Sequence, residues 1–304
     1  MTPLRIGTRA SALALWQANH VADRLRAACS RHVILVEIET AGDQVRDVPL
    51  PEIGGEGVFT KAIQLALLDR TVDVAVQSLK DLPTIPGDGL ILAAVAERGP
   101  TGDAFVSRKF TSLAALPAKA TLATSSTRRK SQILHRRPDL RLVDIRSNVE
   151  TRIRKMAEGA ADGLVLAEAG LTRLGLRSEI REVLDPAWMH PAVGQGALGL
   201  ECRADDADTH AILRSVDHAE SHHAVLAERS LLRALGGGCQ MPVGAVTNID
   251  EGRLSLRAAV VSPDGKRRIE NRIEGAADKA EEIGRDLASQ LIAQGARELL
   301  FSAK

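Results

Sequence analysis

Short apolar strands alternate with helical stretches through the first two thirds of this sequence. The alternation restarts once and then gives way to strands in succession. Leu4–Thr8 reads as a strand running into Arg9, Ala10 and Ser11. Ala14, Ala18, Val21, Leu25 and Ala28 then recur at helical spacing, with Ser11 as the N-cap. A strand at Val33–Ile38, a helix at Val58–Leu68, and strands at Val72–Gln77 and Leu90–Ala96 follow. After Gly99 and Pro100 the pattern begins again. Strands are expected at Asp103–Val106, Thr121–Thr124, Leu140–Ile145 and Gly163–Ala167, and helices at Ser126–Arg136, Val149–Glu158 and Glu168–Leu174. Strands that alternate with helices at this spacing build doubly wound α/β domains. The last third holds a helix (Ala219–Leu235), three strands (Pro242–Thr247, Leu254–Ser262, Arg268–Ile273) and a helix (Ala276–Ala293), the order of a small α+β domain. A chain of 304 residues exceeds what one core usually supports. The expected fold is therefore α/β: two doubly wound α/β domains plus a small C-terminal α+β domain.

Composition removes several functional classes. The formal net charge is +1 and aromatic residues make up 2%, with no Tyr. That leaves neither a basic field nor stacking platforms for nucleic acid. No apolar run approaches the ~20 residues needed to span a bilayer. The N-terminus reads as a strand rather than an export signal, so a cytoplasmic protein is expected. The three cysteines, Cys29, Cys202 and Cys239, form no CxxC pair and no metal-ligand spacing, and an odd count argues against a disulfide framework. No metal is expected.

The positive charge is largely Arg, whose planar fork matches carboxylates and phosphates. Gly7-Thr8-Arg9-Ala10-Ser11 in the first domain and Thr124-Ser125-Ser126-Thr127-Arg128-Arg129 in the second are both strand-to-helix junctions. Each combines small hydroxyl residues, free helix N-terminal N–H groups and Arg, which together suit an anion. Arg146 follows a strand and Arg152 lies on the next helix. Any one of these arginines is equally well read as part of a solvated basic face. As a set at strand C-terminal ends they indicate a small ligand with several negative charges. No GxxxxGK[ST] phosphate loop is present. Ser78-Leu79-Lys80-Asp81-Leu82-Pro83 follows an apolar strand. It can be a plain turn with a local ion pair, or it can hold an ionised carboxylate that stabilises a cation or moves a proton.

Cys239 sits in Gly236-Gly237-Gly238-Cys239-Gln240-Met241-Pro242, a tight loop with no periodicity that would bury it. Cys29, on an apolar helix face, and Cys202, in a strand-like run, read as small hydrophobes. A cysteine hydrolase would need a His base and an orienting group, and no Cys-His signature is evident. A two-lobed anion receptor without catalysis is a second alternative, one that predicts reversible ligand binding. The segment Ala41–Gly57, rich in Pro and Gly, has the length of a lid or binding loop.

Eight segments, in order, resemble the porphobilinogen deaminase (hydroxymethylbilane synthase) family. They are Ile6-Gly7-Thr8-Arg9 with Ser11, Gly54–Lys61, Ser78–Pro83, Thr124–Arg129, Asn148–Lys155, Ala169–Leu174, Val193–Arg203 and Gly237–Gly244. The resemblance implies two α/β domains flanking a cleft, like periplasmic binding proteins, with a third domain carrying the cofactor cysteine. The implied boundaries are 1–97 with 195–216, 98–194, and 217–304. It implies a transferase that deaminates four porphobilinogen molecules and joins them head to tail into hydroxymethylbilane. The chain grows on a dipyrromethane held by a thioether to Cys239. Loss of ammonia leaves an azafulvenium cation, which Asp81 would stabilise, with Lys80 beside it in the catalytic motif. Cofactor contacts would come from Ser78, Lys80, Asp81, Thr124, Ser126, Arg128, Arg129 and Arg146. Substrate contacts would come from Arg9, Ser11, Arg152, Arg173 and Gln195. The resemblance further implies no nucleic acid or membrane partner, and a monomer is expected. The sequence departs from the family pattern at Glu56 (usually Lys), Gln77 (usually His), Ala123 and Ser147 (each usually Gly) and Gly236 (usually Glu).

Overall fold

The computed structural model describes residues 2–40, 60–238 and 241–301. The Ala41–Gly57 segment and Cys239 lie outside the described residues. The chain divides into two compact units: Met1–Gly99 with Ala197–His222, and Pro100–Gly196 with His223–Lys304.

The first unit holds β1 (Leu4–Thr8), α1 (Ala12–Ala28), β2 (Val33–Glu37), α2 (Lys61–Leu68), β3 (Val74–Ser78), β4 (Leu90–Val95), β10 (Leu198–Arg203) and α6 (Ala207–Arg214). Its sheet runs β2-β1-β3-β10-β4. Val74 and Val76 of β3 join a core with Ala18, Val21 and Leu25 of α1, whereas Ala75 between them packs with Ile63 and Leu67 of α2. Alternate side chains of one strand thus meet helices on opposite faces. This explains why a central strand reads as a continuous apolar run.

The second unit contains two sheets. The first comprises β5 (Asp103–Val106), β6 (Thr121–Ala123), β7 (Arg141–Val143), β8 (Gly163–Ala167) and β9 (Ile180–Leu184), in the order β7-β6-β8-β5-β9. Helices α3 (Thr127–Arg136), α4 (Val149–Lys155) and α5 (Glu168–Arg173) accompany it. Phe105, Leu122 and Val165 pack with Ile133 of α3, whereas Ala104, Val106 and Leu164 pack with Ile153 and Leu171 of α4 and α5. The last sheet is antiparallel, β11 (Val243–Asp250), β12 (Arg253–Val261) and β13 (Arg268–Ala276). Its core is closed by α7 (Ala219–Ala234), α8 (Ala280–Ala293) and α9 (Ala296–Phe301), through Leu231, Leu235, Leu287 and Leu291 among others.

The two five-stranded sheets share one strand order, with β10 and β5 in equivalent places. Both of those strands run antiparallel to their neighbours. The sheets are therefore mixed rather than wholly parallel. Strand β9 and helices α6 and α9 are not among the elements expected from the sequence. Cys29, expected on an apolar helix face, is the half-buried C-cap of α1, its N–H donating to Leu25 O. Cys202 is fully buried on β10, and burial pushes its thiol up to about 11.

Candidate functional site

In the first unit, the junction after β1 and the turn after β3 line one small cavity. Arg9, Ser11, Gln17, Gln77, Ser78 and Asp81 are on its wall, and its volume is about 80 Å3. That is room for a few water molecules or one carboxylate arm. Ser11 caps α1 by accepting the Ala14 N–H at 3.3 Å, and the Thr8 hydroxyl donates to Ala14 O at 3.2 Å. Ser78 Oγ accepts from Gln17 Nε2 at 2.9 Å, which leaves the Ser78 proton to be donated elsewhere.

The turn that presents Lys80 and Asp81 is anchored from beneath. Leu79–Asp81 forms a single 3-10 turn, in which Leu79 is buried and Asp81 exposed. Leu79 lies where a Cβ on Gly199 would sit, and its N–H donates to Ala197 O at 3.1 Å. The glycine in β10 thus makes room for Leu79, and the two residues that follow it are turned outward. Gln77, where the family usually has His, donates to the buried carboxylate of Glu201 at 3.1 Å, as Gln64 does at 3.0 Å.

In the second unit the strand-to-helix junction mirrors the first. Ser126 caps α3 by accepting the Arg129 N–H at 3.4 Å, and the Ser126 N–H donates to buried Thr124 at 3.3 Å. Arg128 and Arg129 are the two residues for which the resemblance implies cofactor contacts here. Their guanidiniums converge on Asp103, which is fully buried. Arg128 Nη1 and Nη2 reach Asp103 at 2.7 and 3.2 Å, and Nη1 also donates to His190 O at 2.6 Å. Arg129 reaches Asp103 through Nε at 2.9 Å and Nη2 at 2.7 Å, and donates to Val165 O at 3.1 Å. Gln195 Nε2 adds a donor to Asp103 at 2.9 Å. Burial opposes the charge on Asp103, yet the two arginines outweigh it and hold the carboxyl well below the usual range. Burial pulls the Arg128 guanidinium down as well. The fork of Arg128 is largely engaged inside the protein. Its local sequence gave no sign of this, because Asp103 lies 25 residues earlier in the chain.

Arg146, Arg152 and Arg173 are placed differently. Arg152 Nε donates to Ser147 O at 2.6 Å. Ser147 has φ 145°, a backbone state that favours glycine, as the family pattern at this position would suggest. Arg173 donates to Gly196 O at 2.6 Å, and burial pulls its pKa down to about 10. Gly194 and Gly196, flanking Gln195, both have positive φ, and the Gly194 N–H donates to buried Glu228 at 2.7 Å. Arg146 is half-buried, and its Nη1 is buried without a hydrogen-bond partner among the described residues. An orphaned guanidinium nitrogen is costly unless an anion meets it. That orphaned cation fits a polycarboxylate such as the dipyrromethane. Gly236, where the family usually has Glu, has φ 77° and closes α7: Gly236 N–H donates to Arg233 O and Gly237 N–H to Leu232 O. A side chain would be strained at that C-cap position.

Comparisons with known proteins bear on the whole chain. Residues 4–211 match the model of the porphobilinogen deaminase dipyrromethane cofactor binding domain, and residues 222–293 match the model of the porphobilinogen deaminase C-terminal domain. A porphobilinogen deaminase of Desulforudis audaxviator is 50% identical over 296 residues, covering 97% of this chain and 96% of that protein. Among solved structures, the periplasmic VFT2 domain of Bordetella pertussis BvgS gives a TM-score of 0.44 at 14% identity, over 75% of this chain and 92% of that one. Immunogenic lipoprotein A of Vibrio vulnificus gives 0.44 at 12% identity, over 74% and 99%. With both family models matched in order and half the residues shared with a relative along nearly its full length, the chain belongs to the porphobilinogen deaminase family.

Proposed function

We propose that the chain is a transferase that joins four porphobilinogen molecules into hydroxymethylbilane, releasing ammonia at each joining. The observation that carries this is the extent of the cofactor-domain match. Residues 4–211 contain every candidate site residue named above except Cys239, which lies within the C-terminal domain match. When bound through Cys239, the dipyrromethane supplies the free pyrrole carbon on which the chain is extended.

The protein's own residues divide the remaining work. Asp81, exposed on an anchored turn, accepts hydrogen bonds from pyrrole N–H groups. Its charge offsets the cation that develops on the substrate as the carbon–nitrogen bond to ammonia breaks. Ser78, Lys80, Arg9 and Ser11 hold acetate and propionate arms at the first unit. Arg146, Arg152 and the helix N-terminus at Ser126 do so at the second, with Thr124, Arg173 and Gln195 shaping the backbone around them. Arg128 and Arg129 act chiefly through the Asp103 cluster, which fixes the start of α3. The reading also takes the chain as a cytoplasmic monomer of three domains, 1–97 with 195–216, 98–194 and 217–304. Among the described residues no helix is long and apolar enough to cross a membrane.

The test is a turnover assay with porphobilinogen as the sole substrate. Ammonia release should be matched by a linear tetrapyrrole in the ratio of four to one. Substrate consumption without ammonia, or reversible binding without consumption, would contradict the proposal.

A further inference from the structure

A second cavity, of about 320 Å3, opens in the second unit and is lined by none of the candidate residues above. Gln132, His135 and Arg136 from α3, Trp188 from the segment after β9, and Arg268 and Glu270 from β13 form its walls. Its size falls at the lower end of small-molecule sites. The walls are fixed by close packing. The turn at Gly265, with φ 76°, approaches α3 so closely that a Cβ there would meet Leu134 and His135. His135 Nδ1 donates to Gly265 O at 2.7 Å.

The charges on the walls do not balance. Arg268 pairs with Glu270 at 2.6 and 2.9 Å and donates to Trp188 O at 3.0 Å, so on the wall itself this cation and this carboxylate neutralise each other, with Arg257 Nε 3.8 Å from the same carboxylate but off the wall. Arg136 is exposed and stacks on the Trp188 ring at 5.0 Å, and no carboxylate among the described residues pairs with it. One positive charge is left over, beside a flat indole. Behind the wall, His190 is fully buried, with its Nε2 3.4 Å from Glu270 Oε1.

We propose that this cavity is a binding site for a small planar aromatic monocarboxylate, its ring against Trp188 and its carboxylate in the fork of Arg136. Planarity follows from the indole wall, and the single negative charge follows from the charge surplus. The site does not depend on the deaminase reading.

Calorimetric titration of the cofactor-loaded protein with 2-naphthoate tests it. One saturable site is expected. Arg136→Ala should weaken binding at least tenfold, while turnover of porphobilinogen by the same variant stays unchanged and shows the fold to be intact. Trp188→Leu should weaken binding independently of charge, and Arg146→Ala should leave the affinity for 2-naphthoate as it was. Absence of saturable binding, equal affinity in Arg136→Ala, or loss of binding in Arg146→Ala but not in Arg136→Ala would overturn the proposal. The last result would seat the probe at the candidate substrate arginines instead.

Discussion

Asp103→Asn removes the one negative charge that, among the described residues, pairs with the buried guanidiniums of Arg128 and Arg129. Asp103 is 0% exposed, and the side chains of Arg128 and Arg129 are 4% and 8% exposed. The substitution keeps the shape and one acceptor oxygen. It also turns an N–H₂ group toward donors that cannot accept it. Breaking a buried ion pair from one side costs about 3–5 kcal/mol, and the retained acceptor favours the lower part of that range. At roughly 2–4 °C per kcal/mol for a domain of this size, about 3 kcal/mol lowers Tm by about 6–12 °C. The pH dependence has a defined sign. The folded-state pKa of Asp103 lies below its unfolded value, so the stabilisation from its charge is complete above the unfolded pKa of about 4 and fades as pH falls below it. The wild-type advantage should therefore be constant from pH 7 to pH 5 and shrink at pH 3.5. Urea unfolding followed by far-ultraviolet circular dichroism at the three pH values measures it. A variant within about 1 kcal/mol of wild type at pH 7, or a gap unchanged at pH 3.5, would refute the account of the cluster.

Asp81→Ala should nearly abolish turnover and leave stability within about 0.5 kcal/mol, because Asp81 is exposed on its turn; near-normal turnover would remove Asp81 from the mechanism. Ser147→Gly relieves a positive φ worth about 1 kcal/mol or more, partly offset by the chain entropy of glycine. Equal or slightly higher stability in urea is expected, and a loss above about 1 kcal/mol would show that the serine is held there by contacts instead. Gly244→Ala places a Cβ 2.5 Å from the His190 carbonyl oxygen, so β11 or the His190 segment must shift, at about 1–3 kcal/mol. An unchanged Tm in that variant would mean the packing at Gly244 yields without cost.

The elements that were legible in the sequence are those whose burial is periodic. Val74, Ala75 and Val76 are buried on both faces, and Ala18, Val21 and Leu25 share one, so β3 and α1 announce themselves. Strand β9 reads Ile-Arg-Glu-Val-Leu, at the edge of its sheet with Arg181 exposed, and its charges mask the alternation. Helix α6 is capped by Asp206, which accepts the Thr209 N–H at 3.1 Å, so a local cap signal does stand in the sequence there. The hydroxyl and Arg pattern at both junctions was visible because the caps are local: Ser11 to Ala14 and Ser126 to Arg129. The Asp103 cluster was not, since Asp103 pairs with residues 25, 26 and 92 positions away. Long-range ionic pairing leaves no periodicity to read, and an Asp opening a strand looks like any other surface residue. The antiparallel placement of β5 and β10 was likewise hidden, because strand direction depends on where the chain crosses between units rather than on local composition.

The central claim is that this chain carries a pyrrole primer on Cys239, and intact mass spectrometry of the purified protein, alongside Cys239→Ser, tests it directly. A covalent excess equal to two linked pyrrole units, absent from the Cys239→Ser protein, is the predicted result, and a bare chain should acquire the same mass on incubation with porphobilinogen. A bare mass that porphobilinogen leaves unchanged, or an adduct that persists in Cys239→Ser, would contradict the account.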